Sequence, residues 1–337
     1  MPPSDFTVEL SVVICTYNRA AFLRDTLESF FKCHFDPEHP VELLLVDNRC
    51  TDDSPRIIDG YARQYPGVVK YIAEPNLGLC HARNTAIRRS TGNVIAFVDD
   101  DVYFDPRWVA EVLKVFHEHP EAACMGGNTH PLFEEGRPDY ISEDLMSIYG
   151  SSNSGNAVKL MVYPEHPIGV NMAFRREVVE QVGLFDPSLQ RKGSSLLSGD
   201  ETDFFRRVDR LGLKTIYAPG AVIYHRVPKG RTEKRWILRR YFWEGVSDAV
   251  LNQLATSPGR FARMRSAAQE ARSLVRLISG GYWLPRKLYW HVRGLSFKNW
   301  AWCSYKIGMI RQLLIGAREP KRTPATALSG DRLPRSV

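Results

Sequence analysis

The 337-residue chain lacks both common glycine signatures of nucleotide-binding loops: no GxxxxGKS/T occurs, and no GxGxxG follows the first predicted strand. A phosphate at that strand end would have no glycine cradle, so a metal ion and an arginine must carry its charge. The six cysteines (Cys15, Cys33, Cys50, Cys80, Cys124, Cys303) show no CxxC or metal-finger spacing. They are expected to be reduced thiols in a cytosolic protein, several of them buried. No run of 18 apolar residues exists, so no membrane-spanning helix is predicted. Met1-Pro-Pro-Ser has neither the basic nor the apolar region of a signal peptide. No internal repeat is found.

The chain is long enough for one large core or two small domains. Its hydrophobic (44%) and charged (25%) fractions are ordinary for a soluble globular protein. The formal net charge of +7 is uneven. From Lys229 onward there are 22 Lys and Arg against six Asp and Glu, so the segment before it is acidic on balance.

The most informative stretch is Val94-Ile-Ala-Phe-Val-Asp-Asp-Asp-Val-Tyr-Phe-Asp-Pro106. Val94 to Val98 reads as a strand buried on both faces. Asp99, Asp100 and Asp101 follow it, three like charges that repel unless a cation lies among them. Strand alternation sends Asp99 and Asp101 to one side and Asp100 to the other. Two oxygens on one side suit a hard divalent ion, Mg²⁺ or Mn²⁺, able to hold a diphosphate. Taken alone, the cluster reads equally well as a solvated acidic turn.

The surrounding pattern alternates strands and helices. Val8 to Cys15 is a strand, followed by the polar turn Thr16-Tyr17-Asn18-Arg19 and a helix with Phe22, Leu23, Leu27 and Phe30 at helical spacing. Val41 to Val46 is a second strand ending in Asp47-Asn48, and Thr51 to Ser54 can cap the next helix. Val68 to Ile72, a helix over Cys80 to Ser90, and the Val94 strand complete a parallel α/β arrangement. Ligands in such sheets lie outside the carboxyl ends of the strands, where Thr16, Tyr17, Asn18, Asp47 and Asp99 to Asp101 all fall.

Five segments in order over residues 8 to 228 resemble the family 2 glycosyltransferases, nucleotide-sugar enzymes of the GT-A type: SVVICTYNRAAFLRDTLESF, LLLVDNRCTDDS, EPNLGLCHARNTAIRRSTGNVIAFVDDDV, GVNMAFRREVVEQVGLFDPSL and GDETDFFRRV. The resemblance implies a single mixed, mostly parallel α/β sheet flanked by helices. It implies inverting transfer of a sugar from a nucleotide donor, UDP- or GDP-linked, to a hydroxyl of a glycan or lipid-linked acceptor, with Mn²⁺ or Mg²⁺. By position it implies that Thr16, Tyr17 and Asn18 lie at the donor pocket, that Asp47 accepts a hydrogen bond from the base, and that Arg83 approaches the pocket or the diphosphate. The plainer alternatives are a helix cap for Asp47 and a surface ion pair for Arg83. Asp99 would lie near the ribose and Asp101 on the metal, with Asp100 the alternative ligand, and His225 could reach the metal or diphosphate.

Sugar transfer with inversion also needs a carboxylate to take the acceptor's proton. Family members usually carry Glu-Asp after the glycine; here the pair is inverted to Asp200-Glu201. Glu201 is taken as the base, Asp200 next. Asn171, in the strand Gly169 to Phe174, and Asp203 are assigned to the acceptor side, although Asp203 also reads as an acid favoured by a helix N-terminus. Gln190 to Ser198 is a candidate lid, and Tyr217 to Tyr224 a further strand that His225-Arg226 terminates.

Residues 229–318 read as a helical extension, with six of the seven tryptophans among Lys and Arg. Peripheral contact with the anionic inner face of the cell membrane is one reading, packing on the catalytic unit the other. No nucleic-acid motif is present. Residues 319–337 read as a disordered tail. A sugar nucleotidyltransferase would need a basic glycine-rich loop where TYNRAAF stands, and a non-catalytic relative should have lost the acids that this chain keeps.

Overall fold

The computed structural model describes residues 8–152, 154–191, 195–279 and 295–316. The predicted tail at 319–337, residues 280–294 of the expected helical extension, and residues 192–194 of the candidate lid lie outside them.

Nine strands form one sheet: β1 Leu10–Thr16, β2 Val41–Asp47, β3 Val69–Ala73, β4 Val94–Val98, β5 Val102–Phe104, β6 Ala122–Phe133, β7 Lys159–Met161, β8 Asn171–Arg175 and β9 Lys214–Val227. The order is β3-β2-β1-β4-β8-β6-β9-β5, with β7 paired to β9. The pairs β3-β2, β2-β1 and β1-β4 are parallel, and β8 enters antiparallel beside β4. The sheet is thus mixed, its parallel half built first in the chain.

Side-chain alternation sends Val12 and Ile14 of β1 to one core layer and Val13 to the other. Helices α1 (Ala20–Phe30), α2 (Ser54–Gln64) and α4 (Trp108–Glu118) cover the first layer. Helices α3 (Leu79–Arg89), α5 (Arg176–Val182) and α6 (Asp200–Arg210) cover the second. With both faces covered, the strands carry continuous apolar runs rather than alternation. Gly183, at φ 83°, ends α5.

Register places the chemistry. Thr16 pairs with Asp47 and Ile14 with Val98, so the ends of β1, β2 and β4 lie side by side. Strand β9 does not stop before His225-Arg226: it runs on to Val227, because β5 turns back beside it and pairs Val102 with His225. Asp101 and His225 are thereby brought together although 124 positions apart.

Among the described residues the helices that follow are α7 Lys229–Thr232, α8 Lys234–Thr256, α9 Arg260–Ser279 and α10 Phe297–Ile315. Ile237 and Tyr241 of α8 and Ala301 of α10 pack with Ile141, Leu145, Tyr149 and Val227. Helices α8 and α10 meet where Gly245 faces the Tyr305 carbonyl and Gly308 faces the Phe242 carbonyl. A Cβ at either glycine would stand 1.9 Å from that oxygen. Valine at Gly308 should therefore separate the helices and destabilise the protein by about 3 kcal/mol or more. Thermal unfolding checks this; an unchanged midpoint would show that the two helices do not meet there.

Candidate active site

Asp100 and Asp101 leave β4 and turn straight into β5, and both side chains are buried. Burial of two adjacent carboxylates requires partners. The Thr16 hydroxyl donates to Asp100 Oδ2 at 2.6 Å, and Arg19 donates to Asp100 Oδ1 at 2.9 Å and to Asp101 Oδ2 at 2.7 Å. Arg231 of α7 stands 3.3 Å from Asp101 Oδ2. Burial pushes the Asp100 carboxyl up to about 6; Arg19 opposes the shift and Asp101 adds to it. Burial also opposes charge on Asp101, but His225, Arg19 and Arg231 outweigh it and hold its pKa well below the usual carboxylate range.

The remaining oxygen, Asp101 Oδ1, is buried without a hydrogen-bond partner. It lies 3.3 Å from His225 Nε2. His225 Nδ1 donates to the Tyr149 carbonyl at 2.6 Å, which leaves Nε2 as the lone-pair nitrogen of the neutral ring. Arg231 Nη1 donates to that lone pair at 3.3 Å, so a guanidinium already stands beside the two groups, and a metal ion bound there would draw on Nε2 and Asp101 Oδ1 in its place. Burial disfavours the imidazolium, yet Asp101 outweighs burial and raises the His225 pKa. Asp99, Asp101 and His225 offer ligand atoms within 4.8 Å of one another. Two carboxylates and one imidazole are a donor set that suits Mn²⁺.

The other donor-side residues stand around this group. Tyr17 is 49% exposed at the end of β1, free to lie against a flat ring. Asn18 adopts φ 53° and accepts from the Thr51 backbone N–H at 2.7 Å, tying the first turn to the second. Asp47 accepts from Cys50 N at 2.7 Å and from the Tyr71 hydroxyl at 2.8 Å. Asp52 accepts from Ser54 N at 3.0 Å and from Ala20 N at 2.9 Å, joining the start of α2 to the start of α1.

Arg83 stands neither at the surface nor against Asp99 to Asp101. It is buried between Phe97 and Phe185 and donates to Asp200 Oδ2 at 2.6 Å and to the Gly169 carbonyl at 3.3 Å. Glu201 Oε2 lies 3.6 Å from the same guanidinium nitrogen. One cation serves two carboxylates. Burial, then Glu201, push the Asp200 carboxyl up to about 7. Burial opposes the Glu201 charge too, but Arg83 and a hydrogen bond shared with Asp200 hold it low. Asp200 is thus the proton holder and Glu201, whose side chain keeps 21% exposure, the ionised member.

Two acceptor-side assignments fall elsewhere. Asn171 is 1% exposed; it accepts from Trp108 Nε1 at 3.0 Å and donates to the Ala221 carbonyl at 2.9 Å and the Asn128 carbonyl at 3.3 Å. Its amide staples β8 to its neighbours and points into no cleft. Asp203 spends its two oxygens on Arg206 and Arg207 within its own helix. At the start of the expected lid, Gln190 is buried and accepts from Cys80 N at 2.9 Å, so that end is an anchor. Its other end, Ser198, donates its backbone N–H to Ser247 Oγ at 3.0 Å and accepts from Arg240 at 3.2 Å.

Sequence reading missed Arg19, Arg231 and Arg240. Arg19 had a signal in the polar turn after β1. Arg231 lies six positions beyond His225, past the boundary expected after residue 228. The charge of Arg191 also bears on Asp99, Glu201 and Asp200.

The profile described as glycosyl transferase family 2 matches residues 11–183. The chain is 27% identical over 250 residues to a glucosyl-dolichyl phosphate glucuronosyltransferase of Haloferax volcanii, covering 73% of this chain and 78% of that protein. It is 25% identical over 252 residues to the succinoglycan biosynthesis protein ExoM of Rhizobium meliloti, covering 73% and 75%. A mannosyltransferase from Pyrobaculum calidifontis, solved in complex with GDP-Man and Mn²⁺, has a similar fold (TM-score 0.61, 19% identity, 92% of this chain and 88% of that one). The mixed sheet with covered faces and this profile match make the chain a glycosyltransferase belonging to glycosyl transferase family 2.

Proposed function

We propose that the protein transfers a sugar, with inversion, from a nucleoside-diphosphate donor to a hydroxyl of a lipid-linked or glycan acceptor. The observation that carries this reading is the buried Asp101 Oδ1 facing His225 Nε2 with no partner, beside Arg19 and Arg231. Asp99, Asp101 and His225 would hold a divalent ion, Mn²⁺ before Mg²⁺ because one donor is an imidazole. Bound there, the ion would neutralise charge on the leaving diphosphate. Arg19 and Arg231 add positive charge on the same side. Tyr17 supplies a flat surface for the nucleobase, and Asp47 a carboxylate edge beside it.

The chain's own proton chemistry is assigned to the second acid pair. Glu201 accepts the proton of the attacking hydroxyl, as its ionised state allows. Asp200 keeps a proton and hydrogen-bonds Glu201, and Arg83 fixes both in place. A GDP-sugar donor is supported by the ligand of the Pyrobaculum enzyme, and a lipid-linked acceptor by the name of the Haloferax relative. No described helix is long and apolar enough to cross a membrane. Phe261, Met264 and Val275 share one face of α9 at 50–80% exposure, and Trp300, Ile307 and Leu314 recur every seven residues on α10. Arg260, Arg263, Arg265, Arg272 and Arg276 punctuate α9. An apolar face among arginines suits an anionic lipid surface, such as the inner face of the cell membrane, where a lipid-linked acceptor would be met.

Asp101→Asn should abolish Mn²⁺-dependent nucleotide binding in calorimetry, and equal binding by wild type in EDTA would remove the metal from the reading. Glu201→Gln should bind donor nearly as wild type while turnover falls about 10²- to 10⁴-fold. Asp200→Asn should keep more turnover than Glu201→Gln; the reverse ranking would exchange their roles. The same variant carries a pH signature. The raised folded pKa of Asp200 favours the native state at low pH, and that contribution is lost as pH rises through about 7. Between pH 5 and 8 the melting temperature of wild type should therefore fall more than that of Asp200→Asn. Finally, the full chain should sediment with anionic vesicles, be released by about 0.5 M salt, and lose binding when Phe261 and Leu314 become aspartate. Equal recovery with neutral vesicles would count against a charged lipid partner.

A further inference from the structure

At the opposite end of β1 from the acidic site, three side chains from distant segments converge. Glu9 precedes β1, His39 lies in the connection into β2, and His117 is in the last turn of α4. Glu9 Oε2 is 2.6 Å from His39 Nδ1, and Glu9 Oε1 contacts His117 Nε2. The two rings stand 5.0 Å apart between centroids. The three ligand atoms all lie within 4.8 Å of one another.

The geometry points to a zinc site formed by Glu9, His39 and His117. The backbone that carries these residues is already fixed. Glu9 N donates to the Pro40 carbonyl at 2.8 Å, the Glu9 carbonyl accepts from Val94 N at 2.9 Å, and His39 N donates to the Asp36 carbonyl at 3.0 Å. The ligands are therefore brought together by the sheet and by α4 rather than by one another. Two imidazoles and one carboxylate are a zinc donor set, with the fourth position left to water. Their nitrogens and oxygens converge, while His39 and His117 remain partly exposed, so an ion can enter from solvent. A cavity of about 580 Å³ opens beside the cluster and brings Asp36 and Glu118 to its wall, with Lys114 the opposing charge. His117 also sits at the carboxyl end of α4, where the helix dipole favours a cation.

The same atoms could be joined by hydrogen bonds alone, with neutral rings each donating one N–H to Glu9. Metal binding separates the two readings. The site lies a full strand length from Asp101, roughly 20 Å along β1. An ion there would link the entry to β1, the connection before β2 and the end of α4, with one coordination position open to solvent.

The test uses the full, untagged chain and Zn²⁺ alone. Equilibrium dialysis with metal analysis should find one Zn²⁺ more per chain in wild type than in His117→Ala or His39→Gln. Co²⁺ replacing Zn²⁺ should give four-coordinate visible bands in wild type and in Asp101→Asn, and none from this site in His117→Ala. Zn²⁺ should raise the melting temperature of wild type more than that of either histidine variant. All of these histidine variants should bind nucleotide with Mn²⁺ as wild type does, which confirms that they are folded and keeps the result independent of the acidic site. Equal zinc stoichiometry in wild type and both variants, or Co²⁺ bands unchanged in His117→Ala, would overturn the proposal and leave a hydrogen-bonded cluster.

Discussion

Everything at the functional end of the sheet depends on keeping Asp101 charged in a dry place. A carboxylate taken out of water is stable only with cations close by. The chain supplies them as Arg19 from the turn after β1 and Arg231 from α7, and sets His225 of β9 facing the same carboxylate. Each recruitment explains a topological feature. The reversal of β4 into β5 carries Asp101 to β9, and the length of β9 delivers His225 to it. The second acid pair repeats the device with less cation, a single buried Arg83 for two carboxylates, and the shortage holds a proton on Asp200.

The parallel half of the sheet was legible because each of its strands is a short apolar run ended by polar residues. Thr16, Asp47 and Asp99 to Asp101 could be placed at one edge from that pattern alone. The resemblance supplied the antiparallel half, but not its detail. Strand β6 was not identified: its stretch Gly126-Gly127-Asn128-Thr129 breaks the apolar pattern inside a strand. The end of β9 was put too early because polar His225 and Arg226 looked like a terminus, whereas His225 pairs with Val102 of β5 and both residues pair with β6.

Side-chain partners were the least legible part. Asn171 sits in a strand beside family motifs, and nothing local shows that its amide is spent on Trp108, Ala221 and Asn128. Arg83 pairs 117 positions away with Asp200. Such choices are made by packing across the sheet, where period and composition carry no information. The basic helices were ambiguous for a related reason. Their aromatic content is divided between a buried side, with Tyr241 and Ala301 against Tyr149, and an outward side with Phe261 and Trp300. The reading of these helices as packed on the catalytic unit describes the buried side, and the outward side carries exposed aromatic and aliphatic residues.

The anchoring of Ser198 on Ser247 and Arg240 has a consequence for how this protein can be divided. Gly199, the residue that introduces the second acid pair, lies against Leu251, where a Cβ would stand 3.2 Å from the leucine side chain. Arg206 of the same helix donates to the Leu251 carbonyl at 3.0 Å. The shelf on which Asp200 and Glu201 rest is therefore furnished by α8. Grafting these helices onto another sheet, or exchanging them between relatives, would transplant one wall of the cleft along with the outer surface. Recombination that respects this protein must move α6, the Ser198 loop and α8 as one inherited piece.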